Sequence, residues 1–348
     1  MLHSLRKSLA VLPAALMFIA SLSAAPAAHA QQAAAQHRAA PQTLAQRGEY
    51  LARAGDCISC HTANGGVPFA GGYRLDTPFG ALLAPNITPD PKTGIGLWSA
   101  DQFYRAMHEG VNRHGQDMYP AMPYDFYTRI TREDSDAIYG YLRTLAPVVN
   151  AVNINQLRFP FNQRWSMAVW RELFFTEGTF KPYASKPASW NRGAYLVEGL
   201  GHCSSCHSPR NALGGIEKDK AYTGASIDGW FALNLSSNLH TGLGSWTAAE
   251  IAGYLKTGIV PGRTTALGPM TEVVRNSTSH LTDADLAAMA EYLKSIPPNS
   301  SLRTGKPAPD PARAPRPPRC TWTTAAPVTR QAGAACLASF RRWRATRS

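Results

Sequence analysis

Apolar positions recur at helical spacing in two places that match each other. Leu286, Met289, Ala290 and Leu293 fall on one helical face, and Ile138, Tyr141, Leu142 and Leu145 do the same earlier in the chain. Polar punctuation marks where helices start. Ser99 precedes Gln102 by three positions, Thr131 precedes Asp134, Thr247 precedes Glu250 and Thr282 precedes Asp285. In such a capping box the hydroxyl accepts from the third amide and the third side chain reaches back to the cap. Trp98 with Phe103, Trp246 with Ile251, and Leu281 with Leu286 have the spacing of hydrophobic staples. Between these helices, residues 71–85 and 201–224 are Gly-containing stretches that read as wrapping loops.

The matches extend to an internal repeat. Arg47-Gly48-Glu49-Tyr50-Leu51 returns as Arg192-Gly193-Ala194-Tyr195-Leu196. Asn86-Ile87 and the following Thr93-Gly94-Ile95-Gly96-Leu97-Trp98-Ser99 return as Asn234-Leu235 and Thr241-Gly242-Leu243-Gly244-Ser245-Trp246-Thr247. Ile130-Thr131-Arg132-Glu133-Asp134 returns as Leu281-Thr282-Asp283-Ala284-Asp285. Two tandem domains are expected, at 42–150 and 190–298, joined by a linker at 151–189. Each is long enough for a core of its own.

Inside each repeat, just after the first helix, sits C-x-x-C-H: Cys57-Ile58-Ser59-Cys60-His61 and Cys203-Ser204-Ser205-Cys206-His207. This is the attachment signature of haem c. Two thiols add to the porphyrin's vinyl groups and the adjacent His ligates the iron. A four-cysteine zinc site has its second pair roughly 15–20 residues after the first, whereas 142 residues separate Cys60 from Cys203 here. Local disulfides, like zinc, leave both His unexplained. A thioredoxin-like pair needs a βαβ setting, which the pattern lacks. The expectation is an all-α chain of two cytochrome c domains, each with a few helices around one covalent haem. The cofactor-binding residues are then Cys57, Cys60, Cys203 and Cys206, with His61 and His207 as axial ligands.

The second axial ligand is usually Met or His, and it is expected from the loop before the last helix. In the second domain that is Met270 in Gly268-Pro269-Met270, because Met289 lies on the apolar helix face. In the first, Met118 and Met122 both qualify, and Met122 is preferred because flanking prolines pre-organise its backbone. Met107 reads as core. His108 and His114 are runners-up as ligands, with a solvent-facing loop or helix-end position as the plainer reading. Trp98 and Trp246 are candidate donors to haem propionates or simply staples, and Asn86 and Asn234 are candidate turn residues.

The N-terminus changes the compartment. Arg6 and Lys7, the apolar stretch from Leu9 to Ala20, and Ala28-His29-Ala30 compose a secretory leader over 1–30. The mature chain is expected to begin near Gln31 and to fold in the periplasm, where haem c is attached in bacteria. The net charge of +12 changes the picture little. Nine arginines and Lys306 against Asp310 put +9 in 299–348, the leader carries +2, and the remaining span nets only +1. That balance gives no reason to expect a nucleic-acid partner.

The chain resembles the multihaem cytochrome c subunit of membrane-bound bacterial dehydrogenases that oxidise alcohols, aldehydes, gluconate or sorbitol. The resemblance runs over about 44–298. It is carried by Ala52-Arg53-Ala54-Gly55-Asp56-Cys57 through His61, Thr77-Pro78-Phe79-Gly80, Asn86-Ile87-Thr88-Pro89-Asp90 and Tyr119-Pro120-Ala121-Met122-Pro123-Tyr124. It continues through Phe159-Pro160-Phe161-Asn162-Gln163-Arg164-Trp165, Trp190 through Leu196, Gly199 through His207, and Gly268-Pro269-Met270. It implies a periplasmic subunit, peripheral to the membrane, that takes electrons from a dehydrogenase catalytic subunit and passes them to ubiquinone or another respiratory acceptor. By motif it puts the axial methionines at Met122 and Met270. A free dihaem electron shuttle shares every ligand. A dihaem peroxidase needs an open distal position, which a methionine in each domain opposes. The substrate belongs to the catalytic subunit and is not written in this chain.

The family carries three haem domains, and this sequence shows two motifs. Beyond Pro298 it becomes an Arg/Pro/Ala-rich tail with Cys320 and Cys336, disordered by composition. Read one base out of frame from the Cys320/Thr321 junction, the permitted codons allow Tyr-Leu-Asp-His-Cys-Gly-Ala-Cys-His. The same shift from Leu337 to Thr346 allows Gly-Val-Phe-Pro-Pro-Leu-Ala-Gly-Asn. The hypothesis is that 299–348 is a frameshifted third haem domain. Resequencing the DNA across these codons tests it, and a confirmed frame with no motif in the shifted reading ends it.

Overall fold

A computed structural model describes residues 43–227 and 229–299. The leader, its cleavage site, and the tail with Cys320 and Cys336 lie outside the described residues.

Hydroxyl caps start the helices as expected. Ser99 and Thr247 form reciprocal boxes with Gln102 and Glu250 at the heads of the Ala100–His108 and Ala248–Thr257 helices. Thr43, which the sequence pattern did not single out, does the same with Gln46 for Leu44–Ala54. Each such cap contributes about 1 kcal/mol. Thr131 and Thr282 cap Arg132–Leu142 and Asp283–Ser295 by accepting from the amides of Asp134 and Asp285. The carboxylates of those two aspartates do not close the box. Asp134 takes Arg47 and Tyr195, and Asp285 takes Arg192 and Tyr50.

Each repeat is built on a close crossing of its first and last helices. A Cβ on Gly48 would stand 1.9 Å from the carbonyl oxygen of Ala137, and one on Gly193 would stand 1.9 Å from that of Ala288. Only glycine lets the Leu44–Ala54 helix cross Arg132–Leu142 and the Ala188–Tyr195 helix cross Asp283–Ser295 at this distance. The apolar faces read from the sequence point inward there: Ile138, Leu142, Leu286, Met289, Ala290 and Leu293 are all buried. They join one continuous cluster with Leu51, Leu196 and Leu200, so the two repeats share a core. Helix Ala188–Tyr195 runs on through a π-helical turn, Leu196–Leu200, into the second haem motif.

The all-α expectation needs correction. Arg74–Thr77 and Gly80–Leu83 pair antiparallel about Pro78-Phe79, and Asn155–Leu157 adds a third strand. Ala225–Ile227 pairs with Trp230–Ala232, and Ile259–Val260 with Thr264–Thr265. Strands of two to four residues show too few positions for an alternating pattern to be read. Gly80, at φ 122, lets the third strand approach, since a Cβ there would lie 2.8 Å from the Leu157 Cα.

The 151–189 segment does more than connect. Its Trp165–Phe174 helix buries Met167 and Trp170 against Leu82, Tyr119 and Tyr124 of the first repeat. The Trp170 indole N–H donates to the Leu213 carbonyl of the second repeat at 3.1 Å. Trp165, Val169 and Leu173, on the other face, are exposed.

Candidate haem sites

The first motif makes a single helical turn, Cys57–Cys60, entered through Asp56 in the left-handed region at φ 51. The second makes the Ser204–His207 turn, entered through His202 at φ 34. Positions three apart on a turn share a face, so each thiol pair is presented together.

Both histidines are held by one ring nitrogen. His61 Nδ1 lies 2.8 Å from the Pro85 carbonyl oxygen, and His207 Nδ1 lies 2.6 Å from that of Leu233. A carbonyl only accepts, so Nδ1 carries the proton and Nε2 keeps the lone pair for iron. Burial holds both imidazoles below their ordinary pKa, in the neutral form that ligates.

No disulfide joins Cys57, Cys60, Cys203 or Cys206. Burial first, then the neighbouring Asp56 carboxylate, pushes Cys57 and Cys60 up to about 12. Burial pushes Cys203 up to about 12 as well. Redox-active CxxC pairs have depressed pKa values, the opposite direction from these thiols. Cys206 and Glu272, both of the second repeat, add to the shift at Cys60 and so stand near the first motif.

Met122 and Met270 pack against the shared core that also receives Cys57, Ile58 and Cys203. Met118 packs elsewhere, on the cluster of Leu82, Tyr119, Tyr124, Met167 and Trp170. Met270 sits at the second position of a helix, Pro269–Asn276, and not in a loop. Pro269 opens that helix, where its missing N–H costs nothing. Trp230 leans on Gly268, whose Cβ would meet its ring at 2.5 Å. Trp230, Leu233 and Leu267 are exposed apolar side chains. In each repeat two thiols and one tethered neutral imidazole form a donor set that fits haem c.

The remaining candidates separate cleanly. Met107 and Met289 are core. Asn86 donates to Thr93 Oγ1 and the Val148 carbonyl and accepts from the Thr88 amide. Asn234 repeats this with Thr241, Asn299 and Ser236. Both asparagines are clamps that close a loop onto the end of their own repeat. Trp98 packs on the core, and Trp246 meets Tyr254 edge-on with Arg263 over its ring. His114 is exposed, but His108 is buried against Tyr104, Thr179 and Glu177, contrary to the solvent-facing expectation. The 177–179 segment covers it, a long-range contact that local pattern does not announce. The residues before each motif, Asp56 and His202, also gave no signal in the sequence, since their types differ between repeats.

The cytochrome c family matches this chain twice, at 45–146 and 191–297. The chain is 46% identical over 254 residues to a nicotinate dehydrogenase subunit of Pseudomonas putida, covering 73% of this chain and 21% of that one. It is 43% identical over 267 residues to the gluconate 2-dehydrogenase cytochrome c subunit of Pantoea cypripedii, covering 74% and 60%. A diheme cytochrome c-type protein of Cereibacter sphaeroides is 38% identical over 264 residues, covering 73% of this chain and 86% of that protein. The chain thus spans less than two thirds of either dehydrogenase subunit.

Proposed function

We propose, for a chain that belongs to the cytochrome c family, an electron-transfer role beside a membrane-bound dehydrogenase. It accepts electrons from the catalytic subunit and delivers them to the respiratory chain, with ubiquinone as acceptor. The observation that carries this is the duplicated C-x-x-C-H turn with each His tethered through Nδ1. The cytochrome c subunits among its relatives support the dehydrogenase partner.

Two haem c groups, bound through Cys57, Cys60, Cys203 and Cys206, would supply one-electron chemistry. His61 with Met122 and His207 with Met270 are the ligand pairs we assign. Met122 is supported over Met118 by its place on the shared core. The protein orients each ring by its Nδ1 bond and excludes water with apolar packing; both set the potential. With Met122 and Met270 as ligands each iron would have no open position, and the haems would supply electron transfer rather than substrate chemistry. Periplasmic folding and peripheral attachment to the outer face of the cytoplasmic membrane follow from the leader reading and belong to this proposal. Among the described residues no helix is long and apolar enough to cross a membrane.

The diheme relative, matched over most of its length, favours one second reading: a free dihaem shuttle without a dehydrogenase partner. Washed membranes from the native cell separate the two. On the proposal, an alcohol, aldehyde or sugar acid reduces this cytochrome's haem there, and an added quinone analogue reoxidises it. A cytochrome that washes off fully and that no such substrate reduces is a free shuttle.

A further inference from the structure

Each haem motif is braced by the segment that follows the other repeat's methionine. The Tyr124–Tyr127 helix, just after Met122, meets the Leu196–Leu200 turn that leads into Cys203. The His202 ring lies edge-on to Tyr127 with centroids 5.5 Å apart, and Arg129 pairs with Glu198 at 3.1 Å. The reverse brace is a polar chain. The Pro269–Asn276 helix, which carries Met270, ends against the Cys57–Cys60 turn. Asn276 Nδ2 donates to Ser59 Oγ at 2.8 Å, and Ser59 Oγ donates to Asp56 Oδ1 at 2.6 Å. One residue on, Ser277 Oγ donates to the Ala54 carbonyl at 3.4 Å.

We infer that Asn276 is a positioning residue for the second haem site. By tying the Met270 helix to a hydroxyl inside the first haem motif, it sets how firmly Met270 holds the second iron. Helix Pro269–Asn276 is two turns long, and Gly268 at its head adopts φ 55. A ligand near one end of so short a helix moves if the other end comes loose. Val274 anchors the middle in the core, and Asn276 anchors the far end across the repeat boundary. The first domain therefore takes part in the second domain's ligation, which two independent beads on a string would not show.

The inference rests on the haem c reading and on Met270 as ligand. A thioether competes with added imidazole for ferric iron, so imidazole titration reports how firmly it is held. Matured wild type should show two binding phases, and the phase abolished by Met270→His belongs to the second iron. Asn276→Ala should strengthen imidazole binding in that phase roughly five-fold, the equivalent of one ordinary hydrogen bond. The thioether-to-iron charge-transfer band of that haem should weaken in step. Ser59→Ala should do the same, and the double variant no more than Ser59→Ala alone, because Ser59→Ala already removes the Asn276–Ser59 bond along with the Ser59–Asp56 bond. Unchanged imidazole binding in both single variants, with two haems attached, overturns the inference. A wild-type haem count below two overturns instead the reading beneath it.

Discussion

Tyr50 of the first repeat donates its hydroxyl to Asp285 of the second at 2.6 Å, and Tyr195 returns the contact to Asp134 at 2.6 Å. Each aspartate is also gripped by the arginine of its own repeat, Arg192 on Asp285 and Arg47 on Asp134. The same three residue types, at matching positions of the repeat, thus make one reciprocal joint. Burial raises both phenols' pKa, so the hydroxyls stay protonated donors throughout the physiological range. A hydrogen bond from a neutral donor to a charged acceptor is stronger than a neutral pair. Tyr195→Phe should lower stability by about 2 kcal/mol and Tyr50→Phe, at the more exposed joint, by about 1 kcal/mol. Urea unfolding of the matured protein checks both. Equal stability of the double variant and wild type would show that the joint contributes nothing.

The glycine crossings should tolerate no side chain. Gly48→Ala places a methyl 1.9 Å from the Ala137 carbonyl, and Gly193→Ala the same distance from that of Ala288. Backbone cannot give way as a flexible side chain can, so each variant should lose at least about 4 kcal/mol or fail to accumulate. Gly140 is the internal control. A Cβ there has nothing nearer than the Leu44 side chain at 3.4 Å, so Gly140→Ala should be neutral or stabilising.

The two methionines of the first loop separate by spectrum. Met122→Leu should abolish one thioether-to-iron charge-transfer band and lower one midpoint potential, because the thioether raises it. Met118→Leu, on the other cluster, should leave band and potential as they are and cost under about 1.5 kcal/mol as a volume-conserving swap. A band lost in Met118→Leu and kept in Met122→Leu would reverse the assignment.

Asp125 makes stability depend on pH. Burial pushes its carboxyl up to about 6, against the pull of Arg210, and its Oδ1 is buried with no hydrogen-bond partner. Below about pH 4 the group is protonated folded and unfolded alike, so it contributes no slope. Between about 4 and 6 the folded state keeps a proton that the unfolded state releases, so stability falls as pH rises. Above about 6 the cost is constant, on the order of 1–3 kcal/mol. Asp125→Asn should therefore stabilise at pH 7 and be neutral at pH 4. Denaturation at the two values checks the sign, and equal effects at both would contradict it.

Much of this site was legible before the structure. The C-x-x-C-H turns, the caps at Ser99 and Thr247, and the apolar faces through Leu142 and Leu293 are local patterns, and local patterns survive folding here. The joint was not legible. Asp134 and Asp285 looked like capping-box partners because spacing alone cannot show a tyrosine 61 positions away or one 235 away. The burial of His108 and the docking of Trp170 on Leu82, Tyr119 and Tyr124 also depend on contacts distant in sequence. Short strands such as Ile259–Val260 have no period to read.

The central claim is that both thiol pairs carry haem. The direct measurement is the covalent haem count per chain, from intact mass and a pyridine haemochrome assay after expression with a c-type maturation system. The account predicts two haems on the chain as written, falling to one in Cys57→Ala/Cys60→Ala and one in Cys203→Ala/Cys206→Ala. A chain that leaves a working maturation system with no haem would contradict it.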